Sequence, residues 1–252
     1  MSAPIVSLRD VSKSFASGTL ALDRLQLDVG AGEFLTLLGP SGCGKSTALR
    51  LIADLLEPTS GAVDWRSGQR PELGFVFQEP TLMPWANVFD NIWLPLRLRR
   101  ISRANAQKNI EEALSLVGLR DFANAYPREL SGGMKMRVSL ARALVLEPAI
   151  LLLDEPFAAL DEITRLKLND DVLRLQQELR MTVVFVTHSV YESVYLSSRI
   201  CVFSARPGRV IETINIEAPG QRTTEFRHSQ AYADYCRRAS AALESTLAKA
   251  TA

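Results

Sequence analysis

An α/β fold with a mostly parallel core sheet is predicted by three features of this 252-residue chain. Short apolar runs at 34–38, 150–153 and 183–186 carry no polar alternation, the pattern of strands covered on both faces. Helical periodicity separates them, from 45 to about 57, over 103–117, over 134–146 and over 162–180. No internal repeat interrupts the series, and strands joined by helices form a parallel sheet with helices on its faces.

The individual elements follow in order. Residues 5–15 are rich in Val, Leu and Phe, and Leu25, Leu27 and Val29 alternate with Gln26 and Asp28, so both stretches read as strands. A turn at 30–32 leads into the run 34–38, which ends at Gly39. From Lys45 onward Leu49, Ile52 and Ala53 share a helical face, and this helix is expected to stop near Glu57 and Pro58. Residues 73–77 form a short strand, after which Pro80, Pro84 and Pro95 are expected to break up the chain. The later part holds a hairpin, 199–205 and 210–216 around Pro207 and Gly208, then a polar helix over 230–248.

Composition narrows the class. With 29 Lys+Arg against 28 Asp+Glu, the net charge of +1 is far from the strongly basic balance of a nucleic-acid-binding domain. Hydrophobic residues make up 47% and charged residues 23%, the profile of a packed globular protein. Mean hydropathy is +0.04, yet no run approaches the roughly 18 apolar residues of a membrane span. Cys43, Cys201 and Cys236 lie far apart and form neither a metal-ligand spacing nor a disulfide framework. No basic-then-apolar leader opens the sequence, so a reducing, cytoplasmic setting is expected.

The chemistry begins between the strand 34–38 and the helix that follows. Gly39, Pro40, Ser41, Gly42, Cys43, Gly44, Lys45 and Ser46 fit G-x-x-x-x-G-K-[ST] in the strand-to-helix context the motif requires. Glycines let successive amides turn inward around phosphates, and the helix N-terminus adds its positive end. Lys45 can reach the β- and γ-phosphates, and the Ser46 hydroxyl can ligate Mg²⁺. A second element follows at 150–155, where an apolar strand delivers Asp154 and Glu155 to its C-terminal edge. Asp154 would hold Mg²⁺ and Glu155 would orient or deprotonate the attacking water. Together these specify a P-loop NTPase. A third element, Ser131, Gly132 and Gly133 before an Arg-containing amphipathic helix, offers a second anion site at a helix N-terminus. Two phosphate sites in one chain mean either two bound anions or a site completed by another subunit.

In this order and spacing the motifs resemble the ATP-binding subunit of an ABC transporter, over about residues 5–216. Residues 130–134 (Leu-Ser-Gly-Gly-Met) are similar to the family signature, Gln78 to the Q-loop glutamine, residues 159–161 to the D-loop and His188 to the switch histidine. The resemblance implies a mostly parallel core sheet, an N-terminal antiparallel β subdomain and a helical signature subdomain at about 80–146. The ATPase domain then spans 1–217, with a short C-terminal helical appendage at 218–252. It further implies a head-to-tail dimer with two ATP molecules sandwiched between copies. ATP would lie on Phe15, residues 39–46 and Thr47 of one copy and on Ser131, Gly132, Gly133 and Asp161 of the other. Ser46, Gln78 and Asp154 would hold Mg²⁺, and Lys45, Gln78, Glu155 and His188 would serve hydrolysis. The chain departs from the family pattern at Met134 and Met136, where Gln is common, and at Phe15, which keeps the stacking face of Tyr without its hydroxyl.

Two readings compete: the energy-coupling subunit of a membrane importer, or a non-transport ABC ATPase acting on nucleic acid or ribosomes. The short stretch from Lys45 to Ser131 leaves no room for a long coiled-coil insertion, and there is one P-loop, so the importer is favoured. Residues 80–85 (Pro-Thr-Leu-Met-Pro-Trp) and 204–209 (Ser-Ala-Arg-Pro-Gly-Arg) resemble the nitrate/sulfonate/taurine importer group. That resemblance implies membrane permease subunits as partners, docked on the segment 78–85, and indirectly a periplasmic or extracellular solute-binding protein. It implies no nucleic acid, and a peripheral place on the cytoplasmic face of the inner membrane. The solute itself is chosen by the partners.

Overall fold

Alternation of apolar and polar side chains builds the first sheet. The computed structural model describes residues 4–218 and 222–250, with the backbone alone for 247–250. Strand β1 (Pro4–Ser14) pairs antiparallel with β2 (Leu20–Gly30), in which Leu25, Leu27 and Val29 are buried and Gln26 and Asp28 exposed. Strand β3 (Phe34–Leu38) is buried at all five positions, as its unbroken apolar run requires.

Helix α1 (Lys45–Ile52) ends five residues before the expected stop at Glu57. Asp54 takes a left-handed conformation (φ 59), with its N–H on the Leu51 carbonyl (3.1 Å) and the Leu55 N–H on the Arg50 carbonyl (2.9 Å). This is a Schellman closure built on Asp rather than Gly, so the usual stop signal is missing from the sequence. Strand β4 (Ser60–Trp65), not foreseen, adds antiparallel to the free edge of β1 and gives the order β2-β1-β4.

Two compact units divide the chain, one holding the described residues up to Arg70 and from Thr182, the other Pro71–Met181. In the second unit, β5 (Leu73–Val76) pairs in parallel with β6 (Ile150–Asp154). Its helices are α2 (Val88–Leu98), α3 (Arg103–Leu116), α4 (Gly132–Leu144) and α5 (Glu162–Leu179). Pro95 does not break the chain: it lies inside α2. The Asn87 side chain caps this helix by accepting the Asp90 N–H, and Val88, Ile92 and Leu96 are buried along one stripe. Burial of three aliphatic side chains outweighs the one backbone bond that proline removes.

The first unit resumes with β7 (Thr182–Thr187), α6 (Val190–Leu196), β8 (Arg199–Phe203) and β9 (Val210–Asn215). β3 lies between β7 and β8, parallel to both, and β9 closes antiparallel on β8 as the expected hairpin. After α7 (Thr224–Arg227), α8 (Gln230–Ala250) packs back on this unit. Its Tyr232, Cys236, Ala239 and Ala242 are buried, and the Tyr232 hydroxyl donates to the Tyr191 carbonyl at 2.9 Å. Residues 1–3 of the expected ATPase domain, and 219–221 and 251–252 of the expected appendage, lie outside the described residues. No helix among the described residues is long and apolar enough to cross a membrane.

Candidate nucleotide site

Register decides what gathers at the carboxyl edge of the first unit. Leu38 of β3 pairs with Thr187 of β7, so Gly39 and His188 leave the ends of neighbouring parallel strands. Ligands of open α/β sheets sit at such edges. Residues 39–44 carry the chain from β3 to α1, and two of them must be glycine. Gly42 has φ +73, and Gly44, the N-cap of α1, has φ +110, with the place of a Cβ 2.6 Å from the Ala21 carbonyl oxygen. Gly44 has no side chain to compete for the first amides of α1, whose dipole is positive at that end.

Lys45 is buried at 3% exposure, its Nζ donating to the carbonyls of Gly39 (2.8 Å) and Pro40 (2.9 Å). The loop is thereby curled around an ammonium, the arrangement that receives polyphosphate. Ser46 and Thr47 occupy the first turn of α1, and Ser41 is exposed. Cys43 is buried, with its sulfur 4.0 Å from the Lys45 Nζ. Phe15, just past β1, is 39% exposed, a ring able to stack on a base. His188 is exposed, and its turn is held from below: the Thr187 hydroxyl donates to Glu192 (2.6 Å) and accepts the Ser189 N–H (3.0 Å).

The second unit repeats this logic. Val76 of β5 pairs with Leu153 of β6, so Gln78 and the pair Asp154–Glu155 follow the ends of neighbouring parallel strands. Asp154 is 6% exposed, and Glu155 takes φ +46, a left-handed conformation costly for a residue other than glycine and found at functional turns. Ser131 caps α4 by accepting the Met134 N–H at 3.3 Å. A Cβ on Gly133 would sit 2.5 Å from Thr164 Cγ2, and one on Gly132 3.4 Å from Leu160 Cδ2. The signature turn is thus brought against the segment where Asp161 caps α5 through the Thr164 N–H (3.0 Å). Hydrogen bonds from Thr164, side chain and backbone, hold the Asp161 carboxyl below its ordinary range. Met136 is buried in the core, and Met134 offers the signature turn its backbone.

Sequence reasoning missed two side chains that hold the segment after Gln78. Arg142 of α4 donates to the carbonyls of Pro80 and Thr81, each at 2.9 Å, and to the Thr81 hydroxyl. Burial lowers the Arg142 pKa. Asn91 of α2, fully buried, accepts the Met83 N–H (2.8 Å) and donates to the carbonyls of Met83, Ala86 and Asn87. A polar residue on the buried stripe of α2 is the signal that points to it. Trp85, on the segment so held, is 77% exposed.

Among the described residues no three His, Cys, Asp or Glu side chains gather into a metal cage. Ser46 in the first unit, and Gln78 and Asp154 in the second, each carry a hard oxygen donor of the kind Mg²⁺ takes.

The family model described as ABC transporter matches residues 22–158. An aliphatic sulfonates import ATP-binding protein of Bacillus licheniformis is 43% identical over 225 residues, covering 86% of this chain and 87% of that one. An uncharacterized ABC transporter ATP-binding protein of Methanocaldococcus jannaschii reaches 48% over 210 residues, 81% of this chain and 79% of that one, and its name specifies no solute. Among solved structures, a dimeric bacterial ABC transporter cassette matches with a TM-score of 0.74 at 33% identity, over 85% of this chain and 100% of that one. The cassette's post-hydrolysis form, bound to ADP and phosphate, also matches.

Proposed function

Since the chain belongs to the ABC transporter family as an ATP-binding subunit, we propose that it powers a membrane importer for a small solute of the nitrate/sulfonate/taurine type. The near full-length similarity to an aliphatic sulfonates import subunit carries this reading. The importer name of that relative leaves the alternative, an ATPase acting on nucleic acid or ribosomes, without an observation in its favour.

Each residue group then has a role. The backbone of residues 39–46, through the N–H groups of its non-proline residues, and the Lys45 ammonium bind the phosphates, and Phe15 stacks on the adenine. Ser46, Gln78 and Asp154 hold Mg²⁺, which screens phosphate charge when bound. Glu155 orients and deprotonates the water, with His188 beside the γ-phosphate. Ser131, Gly132, Gly133 and Asp161 face the ATP of a second copy, so closure of the head-to-tail dimer depends on contacts made only when ATP is bridged. The segment from Gln78 to Trp85, braced by Arg142 and Asn91, passes this motion to permease subunits, on which a solute-binding protein delivers the solute. The exposed Trp85 is an apolar anchor suited to a partner helix. The subunit works peripherally, at the cytoplasmic face of the membrane.

The test is genetic and chemical together. Deleting the gene should abolish uptake of one small anionic solute, and plasmid-borne wild type should restore it while Lys45→Ala does not. Lys45→Ala should also lose ATP affinity in a titration; unchanged affinity would remove residues 39–46 from the nucleotide site, and unaltered uptake in the deletion would remove the importer role.

A further inference from the structure

The hairpin turn 204–209 between β8 and β9 bears on the phosphate loop, although it holds no group of the nucleotide site. Its frame is rigid. Ser204 donates its hydroxyl to the Pro207 carbonyl (2.8 Å) and accepts the Arg209 N–H (3.0 Å), while the Ser204 N–H donates to the Arg209 carbonyl (2.9 Å). Its position is set against β2: the Gly208 N–H donates to the Ala21 carbonyl at 2.8 Å, and Arg209 pairs with Asp23. Gly208 runs so close to the phosphate loop that a Cβ there would lie 2.3 Å from the Cys43 carbonyl oxygen.

From this frame one side chain reaches the loop itself. Arg206 donates twice to a single acceptor, the Gly42 carbonyl oxygen, from Nε at 3.1 Å and Nη2 at 2.9 Å. Among the described residues it makes no ion pair. A peptide unit is planar and trans, so its N–H points opposite to its carbonyl. Holding the Gly42 carbonyl on Arg206 therefore aims the Cys43 N–H away from Arg206. That N–H donates to the Pro40 carbonyl oxygen at 3.4 Å, a long hydrogen bond, and the same oxygen receives the Lys45 ammonium at 2.9 Å, so the N–H faces the side where the ammonium lies. Glycine at 42, with φ +73 and no Cβ, gives this peptide little intrinsic preference for one orientation. The Arg206 guanidinium supplies the preference and strengthens the opposite N–H as a donor by polarising the peptide.

We propose that Arg206 is a positioning residue of the phosphate loop: it clamps the Gly42–Cys43 peptide with its N–H turned toward the bound phosphates, from a hairpin turn outside the nucleotide site. The proposal rests on residues 39–46 binding ATP. It gives a physical role to the 204–209 motif, whose second arginine only anchors the turn to β2.

The experiment uses the full chain and its Arg206→Ala, Arg206→Lys and Arg209→Ala variants. It measures ATP affinity by titration calorimetry, kcat and KM for ATP, and thermal stability without nucleotide. Arg206→Ala should raise the Kd and KM for ATP roughly three- to tenfold, the scale of one charge-assisted hydrogen bond at an exposed site, with kcat changed less than about twofold. Its nucleotide-free melting temperature should stay within about 2 °C of wild type, and Arg206→Lys should recover at least half of the lost affinity in logarithmic terms. Arg209→Ala should bind ATP as wild type does. Wild-type affinity in Arg206→Ala, an equal loss in Arg209→Ala, or a loss of affinity matched by a fall in nucleotide-free stability would each overturn the clamp. A wild-type chain that binds no ATP would instead overturn the nucleotide reading beneath it.

Discussion

Asn91 is where the brace behind Trp85 is most exposed to test. Its side chain has no solvent exposure, and its Nδ2 lies 3.2, 3.0 and 2.9 Å from the carbonyl oxygens of Met83, Ala86 and Asn87. Two of those carbonyls keep another donor, since Met83 also accepts from the Ala86 N–H and Asn87 from the Asn91 N–H. Replacement by alanine therefore orphans two groups, the Met83 N–H and the Ala86 carbonyl. At about 1–3 kcal/mol for each deeply buried group, and with both residues here only half-buried, the expected loss is about 2–3 kcal/mol. Asn91→Asp is harsher, because a carboxylate facing three carbonyls adds the cost of an unpaired buried charge, for about 3–5 kcal/mol at pH 7. That charge raises the folded-state pKa of the new carboxyl above its unfolded value of about 3.9. The folded form then holds the proton more tightly, so the variant loses stability as pH rises from about 4, by up to about 1.4 kcal/mol per pH unit until the folded pKa is passed. Urea unfolding at pH 5 and pH 8, followed by tryptophan fluorescence, measures this directly, because Trp85 and Trp93 lie in the same unit as Asn91. A cost below about 1 kcal/mol for Asn91→Ala, or an Asn91→Asp deficit that does not grow with pH, would refute the bracing argument.

Two further outcomes follow from the nucleotide site. Gly44→Ala should cost about 3–5 kcal/mol, from the strained φ of +110 plus a collision with the Ala21 carbonyl, and lower the melting temperature by roughly 10 °C. A melting temperature within about 2 °C of wild type would show that the strand and loop yield easily. Glu155→Gln should keep nucleotide binding and slow hydrolysis by about 10² or more, the scale of one group acting in the transition state; wild-type turnover would remove Glu155 from the chemistry.

The parts of this molecule legible in the sequence are those whose causes are local. β3, β6 and β7 announce themselves as unbroken apolar runs, and the residues from Gly39 to Ser46 are adjacent in the chain. β4 escapes such a reading because it is mostly exposed and carries Gly61, where a Cβ would lie 2.4–2.5 Å from the Asp10 and Arg9 carbonyl oxygens and whose lack of a side chain leaves no pattern. α2 was hidden by Pro95, and the end of α1 by an aspartate doing the work of glycine. The supports of the site depend on topology instead. Arg206 lies 164 positions from Gly42 and Arg142 61 from Thr81, separations over which no periodicity or motif carries information. Thr187 and Glu192, beneath His188, are close in sequence but become a unit only once β7 and α6 are formed.

On the proposed reading the nucleotide site is completed by a second copy, with Ser131 of one chain meeting the ATP held by Lys45 of the other. ATPase activity across a dilution series tests it most directly. The specific rate should climb with protein concentration until dimers saturate, while Ser131→Arg stays at background throughout with nucleotide still bound. A specific rate independent of concentration in a chain shown to be monomeric would contradict the composite site.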